Sequence, residues 1–348
     1  MTRETSVYLD LVRFCAAAVV FFGHLSGQRF TGGLFWQAGP FMGDAVTMFF
    51  VLSGFVIAAT VDGREDATGP YAVARAARVY SVALPALLMT FALDAVGRTA
   101  QPDLYAASWG YVADGRLWQF LSGLLFVNQI WFSDVPQGSD LPYWSLGYEV
   151  WYYVIFGVAT FVRGRGRWLA VAALLVAVGP CIAVMFPVWL FGVLGHRLGR
   201  RWQPAAAAGP LLFAGATLAW IGLEAWLTGH TDSAPEIARS YAVGALFALH
   251  LLGFQAVSAR FRPIVDLLVR PVRWAAGATF TLYLLHLPVA QFLATQAPGP
   301  PASWAARVFI LGGTLAVVFA VAEFTERRKE PWRRGFAMLL RSCMPRPA

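Results

Sequence analysis

What this chain has little of narrows it quickly. Only 13% of its 348 residues are charged, against about a quarter in an ordinary soluble domain, and the mean hydropathy is +0.58. A water-soluble globular domain of this length is excluded. The three cysteines, Cys15, Cys181 and Cys343, stand two in apolar runs and one in the C-terminal tail. They offer neither a disulfide framework nor metal-ligand spacing, so no metal site is expected. No internal repeat and no low-complexity linker divides the chain. One transmembrane domain over residues 1–330, followed by a short basic tail over 331–348, is the economical reading. The first apolar stretch holds Asp10 and Arg13 and lacks a short apolar region with a small-residue cleavage site, so it reads as a retained span and not as a signal peptide.

What is present is 58% hydrophobic residues, gathered into windows near 7–26, 41–61, 79–96, 143–162, 168–185, 186–199, 205–227, 240–257, 275–295 and 304–325. Crossing a bilayer takes ~20 residues, fewer when a helix is bundled or kinked. The segment 186–199 is short and follows Pro187. A further apolar stretch, 119–132, is too short to cross easily and lies between polar loops, which suits a re-entrant or interfacial piece. The expected fold is all-α: a polytopic membrane helix bundle of about ten transmembrane helices plus that segment.

The net charge of +8 raises the question of nucleic acid, and its distribution answers it. With the N-terminus in the cytoplasm, 21 Lys and Arg fall on the inner side, including Arg64, the run Arg163, Arg165, Arg167 and the C-terminal cluster through Arg346. Five fall outside (Arg29, Arg98, Arg116, Arg239, Arg307), and Arg13 lies within a span. This asymmetry predicts a multi-pass protein of the cytoplasmic membrane with both termini inside. It leaves nucleic-acid binding without support.

Within the first span Arg13 and His24 are eleven residues apart. At ~100° and ~1.5 Å per residue they return to within about 20° of one direction and rise about 16 Å, so both look into one groove. A charge at mid-helix costs roughly 2.5–3.5 kcal/mol on insertion scales and usually faces a bundle interior or a wet cavity. His24 near the outer end is a candidate general base, set against the plainer reading of a hydrogen-bonded core histidine. Asp44, a turn into the second span, and Glu149, about two turns into the span that begins at Tyr143, are candidates to orient it. Structural bonds between helices would explain both acids equally well. Arg75 and Arg78 share a helix face at the inner end of the third span and suit phosphate, although positive-inside topology accounts for them too. Asp10, three residues before Arg13, is placed to neutralise it. His286, near the middle of a late span two residues before Pro288, reads as structural. His250, His196 and Glu224 are assigned no chemistry.

Several stretches together resemble the acyltransferase-3 family of integral membrane acyltransferases, the polysaccharide and sugar O-acyltransferases. Leu9-Asp10-Leu11-Val12-Arg13-Phe14 leading to His24 is similar to its first-helix signature, an arginine, ten residues, then a histidine. Phe49-Phe50-Val51-Leu52-Ser53-Gly54-Phe55 resembles the Phe-Phe-x-x-Ser-Gly-Phe run, Arg75-x-x-Arg78 the Arg-x-x-Arg pair, Trp144-Ser145-Leu146-Gly147-Tyr148-Glu149 the Trp-Ser-Leu-x-x-Glu stretch, and Tyr283-Leu284-Leu285-His286-Leu287-Pro288 the late Tyr-Leu-x-His-x-Pro segment. Two positions depart from the pattern. Thr47 stands where many relatives carry Asp, with Asp44 one turn earlier. Glu326 and Glu330-Pro331 only approximate the closing Glu-x-Pro.

The resemblance implies transfer of an acyl group, commonly acetyl, from cytoplasmic acyl-CoA to a hydroxyl of a carbohydrate or glycosylated acceptor, with no metal. Arg13, Arg75 and Arg78 would hold the CoA phosphates, and His24 would meet the thioester deeper in the membrane. An acyl-histidine intermediate is the mechanistic rival to direct transfer. The rival class is a polytopic transporter or flippase of a glycan or lipid, which would show related halves with broken helices in matching positions; no such symmetry is visible. The lipid bilayer and the two substrates are the expected partners.

Overall fold

The computed structural model describes residues 1–63, 67–106, 109–201, 208–229 and 236–343. Arg64, Arg346 and the end of the basic tail therefore lie outside the described residues. Among those described the fold is all-helical, without a strand. Thirteen helices matter here: α1 (Arg3–Leu25), α2 (Met42–Val61), α3 (Thr68–Ala100), α4 (Arg116–Leu124), α5 (Trp144–Phe161), α6 (Gly166–Val178), α7 (Pro180–Arg201), α8 (Ala208–Gly229), α9 (Glu236–Val257), α10 (Arg262–Ala276), α11 (Thr279–Ala294), α12 (Trp304–Phe324) and α13 (Lys329–Cys343).

Among the described residues seven helical stretches are long and apolar enough to cross a membrane, while α6 and α11 are apolar but shorter. Each expected window overlaps a helix, although α3 begins at Thr68, ahead of the 79–96 window, residues 205–207 lie outside the described residues, and one break is displaced. The break expected near residues 185 and 186 falls at Gly179, where φ is +84°, and α7 runs through Pro187. Only glycine takes that backbone conformation without strain, whereas a proline inside a membrane helix is tolerated when neighbours satisfy the freed carbonyl. The 119–132 stretch is helical only as far as Leu124. Beyond it the chain is irregular and its backbone is bonded elsewhere: Trp151 Nε1 donates to the Phe126 carbonyl at 2.9 Å and Trp131 N to Val178 at 2.9 Å. The expected tail begins as an ordered helix, α13, packed along α3.

The chain forms two compact units, each assembled from distant segments. The first comprises Met1–Ala16, Met42–Glu65 and Val184–Ala276. Here α8 and α9 pair, and α10 lays Val265 and Val272 against Val7 of α1, with Leu11, Phe261 and Val269 closing the cluster. This is the apolar stripe expected of an amphipathic helix. Arg3 pairs with Asp266 at 2.7 Å and Arg273 with Asp10 at 3.0 Å along the same seam. Helices α2 and α7 cross where a methyl on Gly54 would overlap the Trp189 carbonyl, and one on Gly192 the Val51 carbonyl. The Trp189 indole then donates to Ser53 Oγ at 3.1 Å. The Ser53-Gly54 pair is thus a close-packing device between apolar helices.

The second unit comprises Ala17–Phe41, Asp66–Ala183 and Gly277–Ala348. The 33-residue α3 is its spine. Helices α4, α5, α11 and α13 pack on α3, and α12 packs on α11. This unit holds the C-terminal part of α1, including His24.

Candidate active site

In the second unit a pair of histidines from distant parts of the sequence meet. His24 Nδ1 lies 3.0 Å from His286 Nε2, with ring centroids 5.1 Å apart. His286 is fully buried, and its Nδ1 is 2.8 Å from the Leu282 carbonyl, one turn back on α11. A carbonyl only accepts, so His286 carries its proton on Nδ1, and the neutral ring presents Nε2 as an acceptor. His24 must therefore donate from Nδ1. Its ring is also hydrogen-bonded to the backbone of Val20, four residues back. The lone pair is left on His24 Nε2, the arrangement a general base requires.

One end of α11 meets the arginines. Glu326, just past α12, accepts from Phe280 N at 2.9 Å, Thr281 N at 3.0 Å and Thr281 Oγ1 at 3.2 Å. It thereby satisfies backbone donors that the first turn of a helix otherwise leaves open. Arg78 lies in the field of Glu326 and Glu149 and bonds the Tyr153 hydroxyl, which in turn donates to Glu149. The Arg75 guanidinium lies 5.7 Å from the Tyr71 ring centroid and 5.9 Å from that of Tyr153. Lys329 interacts with Arg75, Arg78 and Glu326, and burial holds its pKa below the usual lysine value, with Arg78 adding to the effect. Thr281 and His286 are five residues apart, about 7.5 Å of helix rise, so the capped end of α11, whose Glu326 borders the cationic cluster, stands that far along the helix from His286.

Beside Arg75 a cavity of 340 Å³ runs between α3 and α5, lined by Tyr71, Arg75, Val79, Phe126, Tyr153 and Val154 among others. Neither histidine belongs to its lining.

The other expected residues have their own partners. Asp44 belongs to the first unit, where Oδ2 accepts from Trp220 Nε1 at 2.8 Å and Oδ1 from Arg239 Nε at 2.9 Å. Arg239 also pairs with Glu224 at 2.7 Å. The ring that touches His24 is His286, and Glu149 stands with Tyr153 and Arg78. Arg13 is likewise in the first unit, 3.3 Å from Asp10, the neutralising contact expected from their three-residue spacing. His250 is held by Tyr8 at 2.5 Å and Thr217 at 2.9 Å, and His196 by Asp62 at 3.2 Å. Sequence reasoning read His286 as structural and gave Glu326 no role; the structure sets His286 against His24 and Glu326 at the first turn of α11. The available signal for His286 was its place in a polar-aromatic run on an otherwise apolar helix, and for Glu326 a carboxylate just past the last span. No candidate metal cluster of His, Cys, Asp and Glu occurs among the described residues.

The second unit therefore holds an oriented imidazole and a guanidinium cluster within a set of apolar helices. The acyltransferase-3 model, described as an acyltransferase domain, matches residues 6–323. The chain belongs to this family. It is also 26% identical over 204 residues to the acyltransferase MdmB of Streptomyces mycarofaciens. That match covers 55% of this chain and 50% of the relative, so the chain spans about half the length of the curated protein it matches. No solved structure matches.

Proposed function

We propose that this protein transfers an acyl group, acetyl in the simplest case, from cytoplasmic acyl-CoA to a hydroxyl of a carbohydrate or glycosylated acceptor. The observation that carries the reading is the His24–His286 contact at 3.0 Å with the carbonyl of Leu282 behind it. The acceptor O–H gives its proton to His24 Nε2 as its oxygen attacks the thioester carbonyl. The C–S bond then breaks, and the proton passes from His24 to the departing CoA sulfur, leaving an ester and free CoA. During the intermediate His24 is an imidazolium whose Nδ1–H faces a neutral acceptor nitrogen on His286. That contact stabilises the charge and holds the ring.

Arg75 and Arg78 are assigned to the CoA phosphates, with Lys329 as a third cation. Planar guanidinium forks suit phosphate oxygens. The cavity beside Arg75 suits a narrow, largely apolar chain such as the pantetheine arm. Arg13 retains a donor-binding assignment on the family motif alone. Asp44 and Glu149 are reassigned from orienting acids to holding Arg239 and Trp220 in one unit and Tyr153 and Arg78 in the other. Residues 1–330 act as the transmembrane catalytic domain, in the cytoplasmic membrane with both termini inside.

The test is single-turnover labelling of purified protein with acetyl-CoA carrying a radioactive acetyl group, with and without a hydroxylated acceptor. Direct transfer leaves no label on the protein when acceptor is omitted, and His24→Ala yields no acylated acceptor although it still reaches the membrane folded. A folded His24→Ala protein that still acylates its acceptor overturns the assignment.

A further inference from the structure

Arg29 follows His24 by five residues and stands in the single helical turn Gln28–Thr31 that succeeds α1. Its guanidinium carbon is 4.0 Å from the Trp109 ring centroid and 4.4 Å from that of Phe30. Arg29 Nε donates to Gln291 Oε1 at 3.0 Å. Gln291 donates in turn to the Leu104 carbonyl at 2.5 Å, which also accepts from Trp109 Nε1 at 3.0 Å. Three separate segments thus fix one guanidinium.

Every one of these companions is neutral. Among the described residues no carboxylate pairs with Arg29, and burial alone pulls its pKa down to about 10, so it remains charged at neutral pH. Removing a cation from water without a counter-charge is costly, and stacking on an aromatic face offsets only part of that cost. A second guanidinium borders the same turn: Arg307 Nε donates to the Thr31 carbonyl at 2.8 Å. Two arginines and a tryptophan without an acid make a receptacle for an anion brought by a ligand.

Its distance from the histidines says which ligand. Gln291 lies five residues beyond His286 on α11, about 7.5 Å of rise, and Arg29 is within electrostatic reach of His24. An oxyanion donor stands about 2.7–3.1 Å from the reacting oxygen; Arg29 is instead held by Gln291, five residues beyond His286, and is assigned to a group displaced from the reacting centre. The spacing suits a substituent one pyranose ring away from the hydroxyl being acylated. The cluster formed by Arg75, Arg78 and Lys329 lies at the other end of α11 and accounts for the donor separately.

Resting on the acyl-transfer reading above, we propose that Arg29, flanked by Arg307, binds an anionic substituent of the acceptor, a carboxylate or a phosphate, while a neighbouring hydroxyl is presented to His24. Trp109 keeps the guanidinium fork in place as that group arrives.

The experiment compares matched probes on the purified full chain: methyl glucuronide against methyl glucoside, and glucose 1-phosphate against glucose. Binding is read as the rise in thermal unfolding temperature at equal concentrations, without donor, so a failure of acyl transfer is seen separately in the acetyl-CoA labelling experiment. The wild-type protein binds at least one acidic probe at least tenfold more tightly than its neutral twin, equivalent to about 1.4 kcal/mol. Which acidic probe it prefers identifies carboxylate or phosphate. Arg29→Gln abolishes the difference and Arg29→Lys retains part of it. Equal effects of acidic and neutral probes on the wild type, or an acidic preference that survives in Arg29→Gln, overturn the proposal.

Discussion

Glu326 caps the helix of His286 through Thr281, its carboxylate accepting from that residue's backbone N at 3.0 Å and its hydroxyl at 3.2 Å. The same carboxylate stands in the field of Arg78. One acid beyond the last long helix therefore couples the start of α11 to the cationic cluster. Losing such a cap costs about 0.5–2 kcal/mol. Glu326→Ala should lower the unfolding temperature and also reduce kcat, because α11 sets the position of His286. Glu326→Gln, which keeps an acceptor oxygen, should recover most of the stability. Thermal unfolding of both purified variants beside their turnover checks this, and an unshifted Glu326→Ala protein would remove the cap from the account.

His286 is a positioning residue in the proposed reaction, acting through His24. His286→Leu removes the acceptor for the His24 proton and should reduce kcat by roughly 10²–10⁴-fold, the range associated with general-base catalysis, with little change in the KM for acyl-CoA. His286→Gln can offer an amide oxygen in a similar place and should restore a measurable part of that loss. A merely structural role would not separate the two variants in kcat while leaving KM alike. Steady-state kinetics on folded protein is the readout.

Arg75 touches the rings of Tyr71 and Tyr153 and faces the cavity assigned to the donor. Arg75→Ala should raise the KM for acyl-CoA by roughly tenfold or more, since a hydrogen bond to a charged group contributes about 1.5–3 kcal/mol. The effect should be smaller on dephospho-CoA thioesters if the guanidinium meets the ribose phosphate. An unchanged KM returns Arg75 to a topological role.

Gly54 answers a different question, whether its motif is chemical or mechanical. Because a methyl there would overlap the Trp189 carbonyl, Gly54→Ala must push α2 and α7 apart, at a cost of about 1–3 kcal/mol for overpacking. The expected result is a lower unfolding temperature and less protein in the membrane, with kcat per folded molecule nearly unchanged. A stable Gly54→Ala enzyme with collapsed kcat would make the motif part of the chemistry.

The helices were legible because apolar runs have few alternatives in a bilayer, where every backbone group must be bonded within its own segment. The Arg13 and Asp10 contact was legible for a local reason, since residues three apart on a helix share a face. The break at Gly179 was misplaced because Pro187 is the louder signal in the sequence, although a membrane helix accommodates it. Asp44 was expected beside His24 from its depth alone. Depth along two helices says nothing about their rotation, and within its own unit Asp44 accepts from Trp220 and Arg239.

The sequence by itself determined an all-helical, strongly apolar chain with a basic asymmetry and with His24 and two spaced arginines as its marked residues. These follow from composition and from periodicities within single helices. Only the tertiary structure decided that His24 meets His286, 262 residues away, that Glu326 closes the first turn of α11, and that Arg29 is clamped by Gln291 and Trp109. Contacts between helices depend on which faces pack together, and that choice is made by the close fit of many side chains at once, which no local pattern encodes.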